Sequence, residues 1–168
     1  MPSWYGELTG LRTLDLGHNR LESVPDLSAL TRLEILYLHD NALTALPSLP
    51  ASLTYLNVSE NPLAALPSFD LPSLLELRCL ELGLTAFGDV RLPLLRELHL
   101  RTNALESVPD AVRSLRELRT LDLRANRLTS VPDWIVELPR LEKLDLRWNE
   151  VSEVPQALLD RGCFVLLA

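Results

Sequence analysis

An α/β solenoid is the fold class this sequence predicts: a curved stack with a parallel sheet on its concave face and short helical or extended segments on its convex side. Three observations carry that expectation. The phrase L-x-x-L-x-L-x-x-N-x-L-x-x-V-P recurs, with copies beginning at Leu11, Leu33, Leu53, Leu74, Leu95, Leu118 and Leu141. Successive starts lie 22, 20, 21, 21, 23 and 23 residues apart, a period typical of stacked-repeat architectures. Asparagine stands at one offset in six of the seven copies, at Asn19, Asn41, Asn61, Asn103, Asn126 and Asn149. One copy cannot bury its own apolar face, so the copies must stack into a continuous core.

In chain order, the opening MPSWYGELTGL aligns with VPDWIVELPRL (Val131–Leu141). Residues 1–10 are therefore expected to form an N-terminal half-repeat cap. Trp4 and Trp134 share one convex position there and should pack against the neighbouring repeat. The seven repeats fill residues 11–155. Within each, the fourth to sixth positions (Leu14–Leu16 in the first) alternate in and out and read as a short strand. The asparagine then turns the chain from the sheet, and its amide can bond backbone groups that the turn leaves unpaired. After V-P or L-P the chain returns along the convex side. That path is short and extended in SLPAS (Ser48–Ser52), with room for a helical turn in DAVRSLRE (Asp110–Glu117), where Asp110 is the expected N-cap. Residues 156–168 form a C-terminal cap within the same single domain, 1–168. There QALLDRGCFVLLA reads as a helical turn stopped by Gly162 and followed by a last strand, CFVLL.

These phrases carry a family resemblance, that of the leucine-rich repeat. LPSLPASLTYLNVSENPLAALP (Leu46–Pro67) resembles the short repeats of bacterial secreted effectors of the IpaH–YopM type. VPDAVRSLRELRTLDLRANRLTSVPDWIVELPRLEKLDLRWNEVSEVP (Val108–Pro155) resembles the longer repeats of intracellular Ras-suppressor and Roco-type proteins. The resemblance spans nearly the whole chain, and it implies a protein-protein interaction module that binds a protein or peptide partner. It leaves that partner unnamed, because one scaffold serves many functions. A second implication is the recognition arm of a larger multidomain effector or signalling enzyme. The ubiquitin-ligase domain of the one family and the GTPase domain of the other have no counterpart in this sequence.

Composition narrows the function classes. A formal net charge of −7 opposes nucleic-acid binding, which rests on neutralising phosphates with Lys and Arg. No run approaches the roughly 18 apolar residues of a membrane span, and no basic, apolar leader opens the chain. The expectation is a monomer of the cytoplasm, or of a host cytosol if secreted, with no nucleic-acid or membrane partner. Cys79 and Cys163 fall on strands four rungs apart, roughly 19 Å at about 4.8 Å per strand. That exceeds disulfide reach, so both thiols should be free, and Cys79 buried and inert. Gly-rich phosphate loops, C-x-x-C and H-E-x-x-H are all absent, so no catalytic residue, cofactor or metal is expected. His18, His39 and His99 all project from the concave side, at different offsets, and read as isolated surface histidines. NVS at Asn57–Ser59 matches a glycosylation sequon, but on a concave strand it is read as accidental.

The concave face says most about function. Third, fifth and seventh positions of each copy should point outward from the sheet, with the eighth at the strand's exit. Over the second to fourth rungs they bring together Ile35, Tyr37, His39, Tyr55, Arg78 and Leu80, an apolar and aromatic patch edged by Asp40, Glu60 and Glu81. Over the fifth to seventh they align His99, Arg101, Arg124 and Arg147 beside Asp122 and Asp145, with Trp148 at the end. Stacked arginines about 5 Å apart repel by roughly 1–3 kcal/mol per pair at surface dielectrics. Either the aspartates offset this as a self-paired lattice, or the arginines meet an acidic stretch on a partner. These eleven non-acidic residues are the candidate partner-binding set, since exposed aromatics beside arginine are what interfaces favour.

One copy departs from the pattern. LLELRCLELGLTAFGDV (Leu74–Val90) has Leu82 in place of asparagine and Gly88 in place of proline. Leucine cannot bond backbone amides, and glycine relaxes the turn after Phe87. Local loops should therefore take a different path. Drift in a tolerant rung and a break in curvature between the aromatic patch and the arginine column both remain open.

Overall fold

The computed structural model describes residues 8–63 and 65–167. Trp4 and most of the expected N-terminal half-repeat lie outside the described residues. Eight short strands form one parallel sheet: β1 (Thr13–Asp15), β2 (Ile35–Tyr37), β3 (Tyr55–Asn57), β5 (Glu76–Arg78), β7 (Glu97–His99), β8 (Thr120–Asp122), β9 (Lys143–Asp145) and β10 (Phe164–Leu166). They follow one another in chain order across the sheet. The remaining two, β4 (Phe69–Asp70) and β6 (Val90–Arg91), make a separate parallel pair in the return segments.

Register is constant throughout. Thr13 pairs with Ile35, Ile35 with Tyr55, Tyr55 with Glu76, Glu76 with Glu97, Glu97 with Thr120, and Thr120 with Lys143. A one-residue slip would turn the buried leucine column outward, so the leucine spacing fixes this alignment. Each strand covers the third to fifth positions, one residue earlier than the spacing predicts. The sixth-position carbonyl is withdrawn from the ladder to meet asparagine amides: Leu16 O accepts from Asn19 Nδ2 at 3.0 Å and Asn41 Nδ2 at 2.8 Å. Fourth-position leucines from Leu36 to Leu144 are wholly buried and form the spine of the core.

Two devices turn the chain after the repeat strands, the first in all seven copies and the second in every copy but the fourth. The eighth position adopts a left-handed backbone in all seven copies, at His18, Asp40, Glu60, Glu81, Thr102, Ala125 and Trp148, with φ between 50° and 59°. None is a glycine, so each costs about 1 kcal/mol or more. The conformation aims the eighth-position N–H at the next rung's seventh carbonyl, as from Asp40 to Ser59 at 3.0 Å. The asparagine then reaches backward. Asn126, for instance, donates to Leu100, Leu123 and Arg124 carbonyls and accepts from Leu105 N at 3.1 Å.

The departing rung keeps its place in the sheet, since β3, β5 and β7 pair without interruption. Leu82 is buried in the core. Its own N–H and that of Leu84 are both taken by Asn103 Oδ1, at 3.1 and 3.0 Å. Leu63 N, deprived of the asparagine it would have met, turns to Asn61 O at 2.8 Å. Gly83, next to Leu82, has φ +71°. The different path lies in the return segments, where β4 and β6 pair. A Cβ at Gly88 would stand 3.0 Å from Leu66 O, so glycine permits the close approach.

Single 3-10 turns occupy Asp110–Ser114 and Asp133–Glu137 on the convex side. Asp110 is not the N-cap: Pro109 holds that position, at φ −61° without a side-chain hydrogen bond. Proline presets the entry angle, and Asp110 contributes its charge within the first turn. Trp134 is half-buried and packs against the core. At the C-terminal end, α1 (Gln156–Asp160) stops at Gly162, which has φ +82°. Cys163 N reaches Leu158 O and Gly162 N reaches Leu159 O, at 3.0 and 2.9 Å, a paired C-cap of Schellman type.

Candidate functional site: the concave face

Third and fifth positions face the concave side on every inner strand, where they flank a buried leucine. At the N-terminal end Tyr37 and Tyr55 lie on adjacent rungs with ring centroids 5.1 Å apart, tilted by 49°. Both are half-buried, as is Ile35 beside them. The guanidinium of Arg78 stands 5.9 Å over the Tyr55 ring, close enough for cation–π attraction. Arg78 also donates to Glu76 at 2.6 Å. Leu80 belongs to this group by position only. It is buried, between Ser59 and Arg101 in the seventh-position column, and contributes a groove floor, not an exposed apolar contact.

The histidines are not isolated. His39 stacks edge-on against His18 with centroids 4.6 Å apart, and their Nε2 atoms lie 3.2 Å from each other. His18 Nδ1 bonds Asp40 at 2.8 Å, which raises the His18 pKa above its usual value. Gly17 makes the pair possible, because a Cβ there would collide with the His39 ring at 2.4 Å. The eighth position of one rung thus meets the seventh of the next. His99 sits apart and half-buried, its ring 3.3 Å from Glu97, 3.7 Å from Glu76 and 3.8 Å from Asp122. Glu76, Glu97 and His99 are the described residues grouped closely enough to hold a cation, with ligand atoms within 4.8 Å. Arg78 already occupies Glu76 Oε1, so a guanidinium supplies that positive charge.

At the C-terminal end the arginine and aspartate columns form a self-paired lattice. Arg124 forks onto Asp122 at 2.9 and 2.7 Å, and Arg147 onto Asp145 at 3.0 and 2.7 Å. Arg124 Nε also lies 3.4 Å from Asp145, linking the rungs. Both aspartates point to the concave side yet are buried beneath these guanidinium planes. Burial alone would raise the Asp122 pKa. Contacts from His99 and Arg124 outweigh it and hold the carboxyl well below the usual carboxylate range. Arg101, the third of the column, has no ion pair among the described residues, and its buried Nε has no acceptor. Trp148 projects at the column's end, 66% exposed, with Arg147 5.6 Å over its ring. A depression of about 260 Å³ opens over these rungs, walled by Arg101, Arg124, Lys143 and Arg147. Asp122 and Asp145, and Lys143 at the third position of the seventh copy, also line this depression, and none of the three was in the expected binding set. The i, i+2 placement of Asp122 and Asp145 beside Arg124 and Arg147 was the available signal, and Lys143 carried none beyond its outward third position.

Away from this face, both cysteines are free and buried, and burial pushes each thiol up. Among the described residues no helix is long and apolar enough to cross a membrane.

Comparison with known proteins agrees with this architecture. A family profile described as "Leucine rich repeat" matches residues 93–151, and one described as "Leucine Rich repeats (2 copies)" matches residues 9–51. A leucine-rich repeat protein from Leptospira interrogans is 26% identical, with a TM-score of 0.73 over 98% of this chain and 51% of that one. YopM from Yersinia enterocolitica is 29% identical, with a TM-score of 0.66 over 88% of this chain and 35% of its own. Among curated proteins, mimecan from Coturnix japonica is 34% identical over 63% of this chain. The chain spans about two fifths of that relative's length. Similarity thus reaches both bacterial and bird proteins.

Proposed function

Because the chain is a leucine-rich repeat protein resembling bacterial leucine-rich repeat effectors, we propose that it is a non-enzymatic module that holds a protein or peptide partner against its concave face. Folds of this family typically serve protein–protein interaction. The single observation that carries the concave assignment is the tyrosine pair. Tyr37 and Tyr55 lie 5.1 Å apart on a surface where short polar residues would serve the sheet equally well. Together with the exposed Trp148 they are the large, rigid side chains on which binding energy concentrates. Buried, reduced thiols suit the cytoplasm, the compartment this reading favours.

A second reading follows from length. The chain spans 51% and 35% of two bacterial proteins whose fold it shares, so the same face would serve as the recognition arm of a larger protein.

The test is affinity capture of the partner from the native cell, followed by titration of variants. Tyr55→Ala should cost on the order of 2 kcal/mol, a loss of roughly thirtyfold. Arg113→Ala, on the convex side in an exposed pair with Glu137, should leave affinity unchanged. Loss of binding in the convex variant with retention in Tyr55→Ala would place the site elsewhere.

A further inference from the structure

We propose that the depression over the fifth to seventh rungs is a subsite for an acidic peptide segment, with Arg101 and Lys143, not Arg124 and Arg147, as the residues that receive its carboxylates. This rests on the concave reading above and adds the chemistry of the segment bound there.

The argument begins with which cations are already taken. Arg124 and Arg147 each have both ends of the fork on a buried aspartate. A ligand carboxylate would have to displace a geometry that is complete, with no net gain in hydrogen bonds. Arg78 is likewise held by Glu76. Arg101 and Lys143 line the same depression and have no carboxylate within ion-pair distance among the described residues. Two positive charges are therefore uncompensated in one concavity of a chain whose formal net charge is −7. Such a local inversion of sign steers an acidic segment to this spot and away from the rest of the surface.

Arg101 adds a second reason. Its Nε is buried without an acceptor, which leaves a donor desolvated and unpaired in the free protein. Rotation of the guanidinium onto an incoming carboxylate removes that deficit, so the gain belongs to the bound state alone. Arg101 stands at the seventh position of the fifth rung and Lys143 at the third position of the seventh, diagonally across the groove. Two rungs and four residues separate their backbones by roughly 16 Å, a span that a segment with several carboxylates matches without drawing the two side chains together.

Hexaglutamate with blocked ends is the probe, titrated into the isotopically labelled full chain at about 50 mM salt and again at about 500 mM. The Arg101 Nε–H resonance and the Lys143 amide should shift saturably. The higher salt should weaken binding at least fivefold, since screening acts strongly on such contacts. Arg101→Gln with Lys143→Gln should weaken binding at least tenfold while preserving the remaining amide spectrum. Arg113→Ala should bind as the parent does, and hexalysine should leave the groove resonances unmoved. No saturable shift at millimolar peptide, or equal shifts in the double variant, overturns the proposal. If hexaglutamate fails while the captured partner still loses affinity on Tyr55→Ala, the subsite is wrong and the concave reading stands.

Discussion

Asn103 carries more of the scaffold than any other asparagine in the array. Its Oδ1 accepts from both Leu82 and Leu84, and its Nδ2 serves the Cys79, Leu100 and Arg101 carbonyls. Asn126 and Asn149 each satisfy one backbone N–H in the rung before them. A buried hydrogen bond contributes about 1 kcal/mol net, and leaving its partner unpaired costs about 1–3 kcal/mol. Asn103→Ala should therefore destabilise by at least about 3 kcal/mol, and by about 1 kcal/mol more than Asn126→Ala. Denaturant unfolding of the two variants at neutral pH checks this. Equal losses would mean that water or Gly83 satisfies the extra amide. The left-handed eighth positions show the complementary behaviour: strain is accepted at the six non-glycine residues from His18 to Ala125 because each places an N–H on the next rung's carbonyl, and Trp148 repeats the conformation in the last copy without that bond among the described residues.

Among the elements, the rung with Leu82 is the informative one. Its leucine exchanges the asparagine bonds for apolar burial, its amides are taken over by Asn103, and β4 pairs with β6 behind it. Hydrogen exchange across Leu82–Val90 should therefore be no faster than across Asn126–Val131, and Leu82→Asn should change stability by less than about 1 kcal/mol. A clear gain on substitution would mark the rung as defective after all. Regular strands were legible in the sequence because leucine at fixed offsets leaves one register that buries every copy. The β4–β6 pair was not, since two residues in each segment show no period. Tyr37, Tyr55 and the arginine column were legible as outward positions. Burial of Leu80 and contact between His18 and His39 were not, because both depend on what a neighbouring rung places alongside.

At the scale of the whole molecule, the Asp–Arg lattice ties stability to acidity. The Asp122 carboxyl titrates below its ordinary value in the folded protein. Its contribution is therefore complete above the unfolded-state pKa near about 4 and is lost as pH falls from there toward the folded-state value. The thermal midpoint should drop between about pH 4 and pH 2, and Asp122→Asn should flatten that slope at the expense of stability at neutral pH. An unchanged slope would remove Asp122 from the acid response. The asparagine ladder has a further consequence, which is mechanical. Every carboxamide from Asn41 onward grips the rung before it and none grips the rung after. The stack is thus polar under load. Peeling from either end breaks the same clasps but leaves different remnants. Loss of a C-terminal rung orphans a backbone N–H on its predecessor, whereas loss of an N-terminal rung leaves its successor only an idle carboxamide that water takes up.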